Sequence, residues 1–305
     1  MPLPHPLGHT SRTRGDAVLV WRDRATLQVG IDDDVLVLGP VPRLSEAFLQ
    51  FPVNDDELLD PSTRRWREWL AGRLTEHQRL AAPFHAACVR IVGSGRVAGR
   101  LATALLDLGH TVRIQEASHA SGQGPTGAER LVAHLRRSPG RGGHRVLLDT
   151  GPDPELTVLA TGTCEPERSL TDQLTREGRP YVVLRTRPGR AVAGPLVVPS
   201  ETSCLRCADL WRAEADPVWP RLAAQLAHRQ APVDPVLDAW VTGLGLAAIV
   251  AFLDGEAGEL RSRTLTLASD TGRTSMRLWP AHPRCTCHEW GDASGLLPMP
   301  DRMGA

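Results

Sequence analysis

The sequence predicts an α/β protein: a Rossmann-like, mainly parallel sheet whose C-terminal part is clipped by close-spaced cysteines, preceded by a small winged-helix-like α+β module. Three observations predict it. A Gly-rich turn, GSGRVAG, joins an apolar strand to an amphipathic helix, the opening of a doubly wound sheet. Apolar runs of strand length then alternate with helical patterns, the signature of a parallel sheet. Before them, three short strand-like runs stand close together.

Taken in order, MPLPHPLGHTSRTRGD is polar and Pro-rich, with no apolar stretch of signal-peptide type. AVLVWR, TLQVGI and DVLVL read as strands separated by RDRA and by the turn Asp32-Asp33-Asp34. VPRLSEAFLQF reads as a short helix. STRRWREWLAGRL places Trp66, Trp69, Leu70 and Leu74 on one helical face, with Ser62 as its cap. A polar linker near TEHQRLAAP closes this module at residues 1–82. In the main domain, residues 83–291, CVRIV is a strand, RVAGRLATALLDL a helix stopped at Gly109, and TVRIQ a second strand. SHASGQGPTG is a loop and AERLVAHLRRS a helix. RVLLDT, LTVLAT and YVVLRT are further strands, with RSLTDQLTREG as a helix before the last. The C-terminal third holds helical stretches at about 205–228 and 233–253, then strands in RTLTLAS and MRLWP. Residues 292–305 form a tail.

Composition excludes several classes of function. The chain has 305 residues with 35 basic and 35 acidic side chains, so no positive excess points to nucleic acid or an acidic membrane. Every basic residue is Arg: a chain without Lys has no Schiff-base lysine and no P-loop lysine. The apolar run LGLAAIVAFL is too short to span a bilayer, and a soluble cytoplasmic protein is expected. In that compartment close-spaced cysteines more often bind metal or do redox work than form disulfides.

Cys204 and Cys207 form a CxxC, and Cys285 and Cys287 a CxC, with 77 residues between the pairs. Four thiolates are enough to close a tetrahedral structural zinc site, giving a zinc-clipped C-terminal part. A thioredoxin-type pair at Cys204–Cys207 is the alternative, and it leaves the CxC unexplained. His282 and His288 read as loop residues, Cys88 as a small core residue and Cys164 as an inert loop thiol. In the Gly turn, Gly93 and Gly95 permit the tight bend, Ala98 takes the third small position, and Gly99 follows. Glu116 ends the second strand, where an acidic side chain reaches a ribose. Such a turn marks the fold more firmly than it marks a bound nucleotide.

With these motifs, WRDRATLQVGIDDDVLVLGPVPRLSEAFLQ, GPLVVPSETSCLRCADLWR and WPAHPRCTC resemble the ThiF-type superfamily, relatives of the ubiquitin-activating enzymes. The resemblance is closest to the cyclodehydratase-domain, leader-peptide-binding partner proteins of thiazole- and oxazole-modified peptide biosynthesis, and covers most of residues 17–290. It implies a structural Zn2+ on the four cysteines. It also implies that a precursor peptide's leader adds as a strand beside Asp34, Val35, Leu36, Val37 and Leu38, against a helix bearing Trp66, Trp69 and Leu70. It further implies a YcaO-type ATP-dependent cyclodehydratase as partner, and pairing of two copies through their sheet domains.

Adenylating members hold ATP with the Gly turn, an acid after the second strand, an Asn/Arg motif, a Lys and a magnesium-binding Asp. Glu116 matches the first acid, and Asp149 stands either as the strand-end magnesium ligand or as a turn residue. The loop after Glu116 has no Asn, the one Asn in the chain being Asn54, and Lys is absent, so the ATP site is expected to be degenerate. The leading reading is a non-catalytic, zinc-stabilised scaffold. The enzyme reading is a divergent adenylyltransferase using Arg96 or Arg100 in place of the lysine. A nicotinamide-dependent oxidoreductase rests on the Gly turn alone.

Overall fold

The computed structural model describes residues 19–21, 26–29, 36–38, 86–117, 124–137, 145–256 and 258–287. The chain divides into two compact units, Met1–Phe84 and His85–Ala305, each described by itself.

In the first unit β1 (Leu19–Trp21), β2 (Leu27–Val29) and β3 (Leu36–Leu38) form an antiparallel sheet in the order β1-β2-β3. The three expected strands are present, with Leu27 opposite Leu38 and Val29 opposite Leu36. Asp34, Val35, Trp66, Trp69 and Leu70, with the helices expected around them, lie outside the described residues.

The second unit is built on eight strands in the order β11-β10-β9-β8-β7-β4-β5-β6. Strands β4 (Cys88–Val92), β5 (Thr111–Gln115), β6 (Val146–Leu148), β7 (Leu156–Leu159) and β8 (Tyr181–Arg187) pair in parallel. Strands β9 (Arg190–Val197), β10 (Arg263–Ala268) and β11 (Thr274–Leu278) extend the sheet antiparallel. The parallel half has the Rossmann order, and its direction of winding reverses between β4 and β7. Ligands of such sheets bind at that switch point, outside the carboxyl ends of the strands.

Helix α1 (Arg96–Asp107) follows β4 and buries Ala98, Leu101, Ala102, Leu105 and Leu106, an apolar stripe of helical period. Full burial of each leucine contributes about 2 kcal/mol. Helix α2 (Gly127–Arg137) leads to β6, and α3 (Arg168–Arg176) to β8. Helices α4 (Leu205–Ala215) and α5 (Trp219–Ala227) come next, so the helix expected over 205–228 is broken at Asp216–Val218. The cause is Pro217, whose missing N–H and fixed φ end α4 and start α5. Helix α6 (Pro235–Leu253) is capped by Asp234, whose side chain accepts from Val236 N and Leu237 N. It packs on β8, β9 and α1. Among the described residues it is one helix long and apolar enough to cross a membrane by length and composition alone.

Strand β9 is not among the strands that the sequence predicts. Gly194 and Pro195 lie in its middle, and proline in a run argues against a central strand. The structure accommodates them at a bulge: Leu184 pairs with Ala193 and Val182 with Leu196, and β10 pairing ends at Ala193. The last strand starts earlier than MRLWP and stops at Leu278, leaving Trp279 buried just beyond it.

Candidate functional site

Two places carry chemistry. The first is the thiol cluster. Cys204 is the N-cap of α4, Cys207 lies in its first turn, and Cys285 and Cys287 come from the segment after β11. All four are buried, and their sulfurs lie within 4.8 Å of one another. Sγ–Sγ distances are 3.9 Å for Cys204–Cys207, 3.6 Å for Cys204–Cys285 and 3.5 Å for Cys207–Cys287. A tetrahedron with metal–sulfur bonds of about 2.3 Å has edges of about 3.8 Å, so the cluster has the dimensions of a closed four-thiolate site. A disulfide would bring two sulfurs to about 2.05 Å, and none of the four is so paired. The protons divide unevenly: hydrogen bonds from the Cys204 and Cys287 thiols pull the Cys207 pKa down, while sharing with Cys207 and then Cys287 pushes Cys204 up. The four ligand atoms, by type and spacing, are compatible with a metal ion.

The ends of this clip are fixed by ordinary packing. Ser203 Oγ donates to Trp279 O at 2.5 Å, and Trp279 Nε1 to Thr264 Oγ1 at 3.0 Å. His282 is buried but is not in the cluster. Its Nε2 meets Glu214 Oε1 at 3.0 Å, its Nδ1 accepts from Arg284 N, and its ring stands edge-on to Trp211 at 4.6 Å. His288 lies outside the described residues. Cys88 is a buried strand residue and Cys164 a buried loop thiol. The cluster shares a core with Val92, Leu159, Leu174, Tyr181, Val183 and Val197. Val92 and Leu159 end β4 and β7, which carry the second site.

That second site is the Gly turn. Gly93 has φ +128°, and a Cβ there would stand 2.0 Å from Ala160 O, so only glycine lets β4 and β7 close at this level. Gly95 caps α1 without a side chain and borders three cavities of about 210, 330 and 650 Å3. Gly99, with Arg100, lines the largest, between α1 and α2. Glu116 lines the 330 Å3 cavity with Ser94, Thr161, Glu167 and His228. Its carboxylate already accepts from Ser94 Oγ at 3.1 Å and from Ala128 N at 2.7 Å, at the start of α2. Gly127 makes that closure possible, since a Cβ there would meet Ser94 Oγ at 2.2 Å. Thr126 and Glu129 complete a capping box, with Thr126 N to Glu129 Oε2 2.6 Å and Glu129 N to Thr126 Oγ1 3.1 Å.

Asp149 is not brought to the turn. It follows β6, two strands away from β4, is exposed with φ 51°, and lines none of these cavities. The strand end facing the Gly turn across the switch point is Ala160-Thr161-Gly162, which offers hydroxyl and backbone groups and no carboxylate. Arg96, at the head of α1, is held by Asp238 of α6 at 2.9 Å. Leu36, Val37 and Leu38 form β3, which lies at the edge of the three described strands of the first unit.

The sequence reading missed a buried charge network behind the turn. Glu165 is fully buried and meets Arg168 at 2.9 Å, Arg185 at 3.1 Å and Arg187. Asp209 meets Arg168, Arg212 at 3.3 Å and the indole N–H of Trp219 at 2.8 Å. Arg212 lies 5.0 Å over the Trp219 ring and 4.2 Å over Trp279. Burial, then the nearby Arg168 charge, pushes the Arg185 pKa down to about 9. One signal was present in the sequence: YVVLRTR places Arg185 and Arg187 two apart, on one face of an otherwise apolar strand.

Neither a protein-family model nor a curated protein matches the sequence. Solved structures do match the fold. E. coli MccB with AMPCPP and MccA superposes with a TM-score of 0.58 at 14% identity, covering 89% of this chain and 97% of that one. E. coli MccB with ATP gives 0.52 at 14% identity, and the chain spans 66% of that protein's length. A heterocyclase in complex with substrate and cofactor gives 0.54 at 14% identity over 87% of this chain, which spans 38% of the heterocyclase. At such identity the likeness speaks for the fold. The fold is the one that the chain shares with MccB and with the heterocyclase.

Proposed function

We propose that the chain is a zinc-stabilised, ThiF-like scaffold. It binds the leader of a ribosomally made precursor peptide and presents the core to a YcaO-type, ATP-dependent cyclodehydratase for azoline formation in the cytoplasm. The observation that carries this reading is the state of the Gly turn. Its acid, Glu116, is engaged by Ser94 and by the start of α2, the facing strand end supplies no metal-binding carboxylate, and the 330 Å3 cavity has Glu116 and Glu167 on its wall. Catalysis of phosphoryl or adenylyl transfer needs positive charge set against the phosphates. A wall with two acids and a chain without lysine are the reverse.

The metal's part is structural. Cys204, Cys207, Cys285 and Cys287 fill all four positions of a tetrahedral ion, leaving none for substrate. Zinc there supplies cross-linking energy, and the chain's own residues supply the platform. Peptide recognition is assigned to the first unit. Among the described residues β3 is an edge strand, the kind of edge a leader strand adds to, and Trp66, Trp69 and Leu70 are proposed as its apolar floor. Support comes from the neighbours, since MccB is seen with MccA and the heterocyclase with its substrate. Fluorescence-anisotropy titration of the full chain with a labelled leader peptide tests the reading. Saturable binding, alone or with the cyclodehydratase, is expected, and no binding under either condition overturns it.

A second reading is favoured by the MccB structures with ATP and AMPCPP: a divergent adenylyltransferase acting on a peptide carboxylate. Pyrophosphate exchange into ATP on addition of peptide would establish it.

A further inference from the structure

We propose that His282 is the positioning residue of the thiol cluster. By donating to Glu214, its imidazole clamps the segment that carries Cys285 and Cys287 onto the helix that carries Cys204 and Cys207. The four sulfurs are thereby gathered before a metal ion arrives. The inference rests on the reading of the cluster as a metal site.

Cys285 and Cys287 come from residues 279–287, which form neither strand nor α-helix. A segment that only the metal orders loses its conformational entropy on binding, and contacts made beforehand offset that cost. Helix α4 supplies them. It places Cys207, Trp211 and Glu214 at i, i+4 and i+7, on one face, and the segment lies along that face. Trp211 Nε1 donates to Pro280 O at 2.9 Å, the Trp211 and His282 rings meet edge-on at 4.6 Å, and His282 Nε2 meets Glu214 Oε1 at 3.0 Å. At 1.5 Å per residue, Glu214 stands about 10 Å along the helix from Cys207, so this contact fixes the segment's direction as well as its position. Arg284, 66% exposed, adds a surface contact to the same oxygen at 3.2 Å, of the kind that contributes little.

The partner of one imidazole nitrogen fixes the role of the other. His282 Nδ1 accepts from Arg284 N at 3.0 Å, so the ring's hydrogen is on Nε2 and is donated to Glu214. Both nitrogens of a side chain only 1% exposed are thus satisfied, in fixed directions. The same residue opens the turn that delivers a ligand. In His282-Pro283-Arg284-Cys285, Cys285 N donates to His282 O at 2.8 Å, and Pro283 fixes φ at the second position of this β-turn. The imidazole therefore anchors the first residue of a turn whose last residue is a cluster thiol.

Release of a bound ion requires the segment to lift from α4, so the clamp is read in the rate of release. The full chain is loaded with Co2+, whose ligand-field absorption reports a four-thiolate site, and the ion is drawn off by an excess of a chromophoric chelator. Glu214→Ala and His282→Phe should each speed transfer about tenfold or more, the scale of groups that orient metal ligands. The absorption bands of the loaded protein should not change, because the four sulfurs are the same. Phenylalanine keeps a ring against Trp211 and removes both hydrogen bonds. His282→Gln keeps a donor for Glu214 and should bring transfer back to within about threefold of wild type. The double variant Glu214→Ala/His282→Phe should release no faster than the faster single one, as two halves of one contact require. Glu214 has a side chain 44% exposed, so Glu214→Ala decides the matter even where His282→Phe does not fold. Wild-type transfer in Glu214→Ala, additive effects in the double variant, or His282→Gln releasing as fast as His282→Phe overturns the proposal. A wild-type chain that takes up no stoichiometric Co2+ removes the metal reading and the clamp with it. That result is distinct from failure of the clamp alone, in which the ion binds and the variants release it at the wild-type rate.

Discussion

The thiol cluster and the Gly turn sit at the two ends of one shared core, yet the structure treats them differently. At the thiol cluster, four like ligands from two remote segments meet at the spacing one tetrahedral ion requires. At the Gly turn, the backbone shape of a nucleotide site is kept, but its side chains point to other uses: Glu116 caps α2 and Arg96 pairs with Asp238. A coordination site is specified by the number and type of its ligands. A nucleotide site is specified by where charge is placed, and charge can change while the turn persists. The Gly turn is therefore evidence about packing, and the cysteines are evidence about chemistry.

The largest effect that would break this contrast is loss of the proposed metal. Cys207→Ser, or chelation of the wild-type protein, should release the ion stoichiometrically and destabilise the main domain by several kcal/mol, within the order of 10 kcal/mol associated with structural zinc. Elemental analysis with urea denaturation reads both. Full stability without metal would reduce the cluster to a packing motif. Gly93→Ala comes next. Its Cβ would strike Ala160 O at 2.0 Å with φ in the left-handed region, so a cost of about 3 kcal/mol or more is expected in the denaturation midpoint. A mild effect there would mean that β4 and β7 yield at the switch point, weakening the argument that the turn is kept for packing.

What the sequence made legible follows the same division. Short-range patterns were readable: the 3.6-residue stripe of α1, the strand runs of β4, β5 and β7, and the cysteine spacings. The features that went unread depend on tertiary context. Strand β9 was hidden because Gly194 and Pro195 are acceptable only at the bulge that they form in β9, where two residues face Val183 alone in β8. Asp149 reads from its letters as either a strand-end metal ligand or a turn residue, and only the strand order shows that β6 lies two places from β4. Arg185 and Arg187 were visible as letters in YVVLRTR, but their partner Glu165 lies in another segment, and a buried pair cannot be inferred from one half.

Glu116→Gln should have a smaller effect that sharpens the view of the Gly turn. The carboxylate accepts from Ala128 N and Ser94 Oγ, both near the start of α2. Replacing it with an amide should cost about 1 kcal/mol, the loss of a charge-assisted cap, measurable by thermal denaturation. Calorimetry with ATP should show no tight binding in either protein. Micromolar ATP affinity that Glu116→Gln abolishes would instead restore the acid to a ribose and favour the adenylyltransferase reading.

The smallest expected effect tests the electrostatics beside the thiol cluster without touching a ligand. Asp172 is half-buried in α3, and desolvation is the largest influence on its carboxyl, raising the pKa against the opposing pull of Arg206, Arg176 and Arg168. An acid whose native pKa lies above its unfolded value binds more protons when folded, so stability falls as pH rises from the unfolded value through the native one. At neutral pH the ionised form is therefore a small liability. Asp172→Asn should raise stability at pH 7 by no more than about 0.5 kcal/mol, as for other partly exposed positions. The advantage should vanish as pH drops below the unfolded carboxyl value of 3.8, where wild-type Asp172 is itself neutral. A variant that is less stable at pH 7 would show instead that the three arginines outweigh burial, and that this flank needs the negative charge.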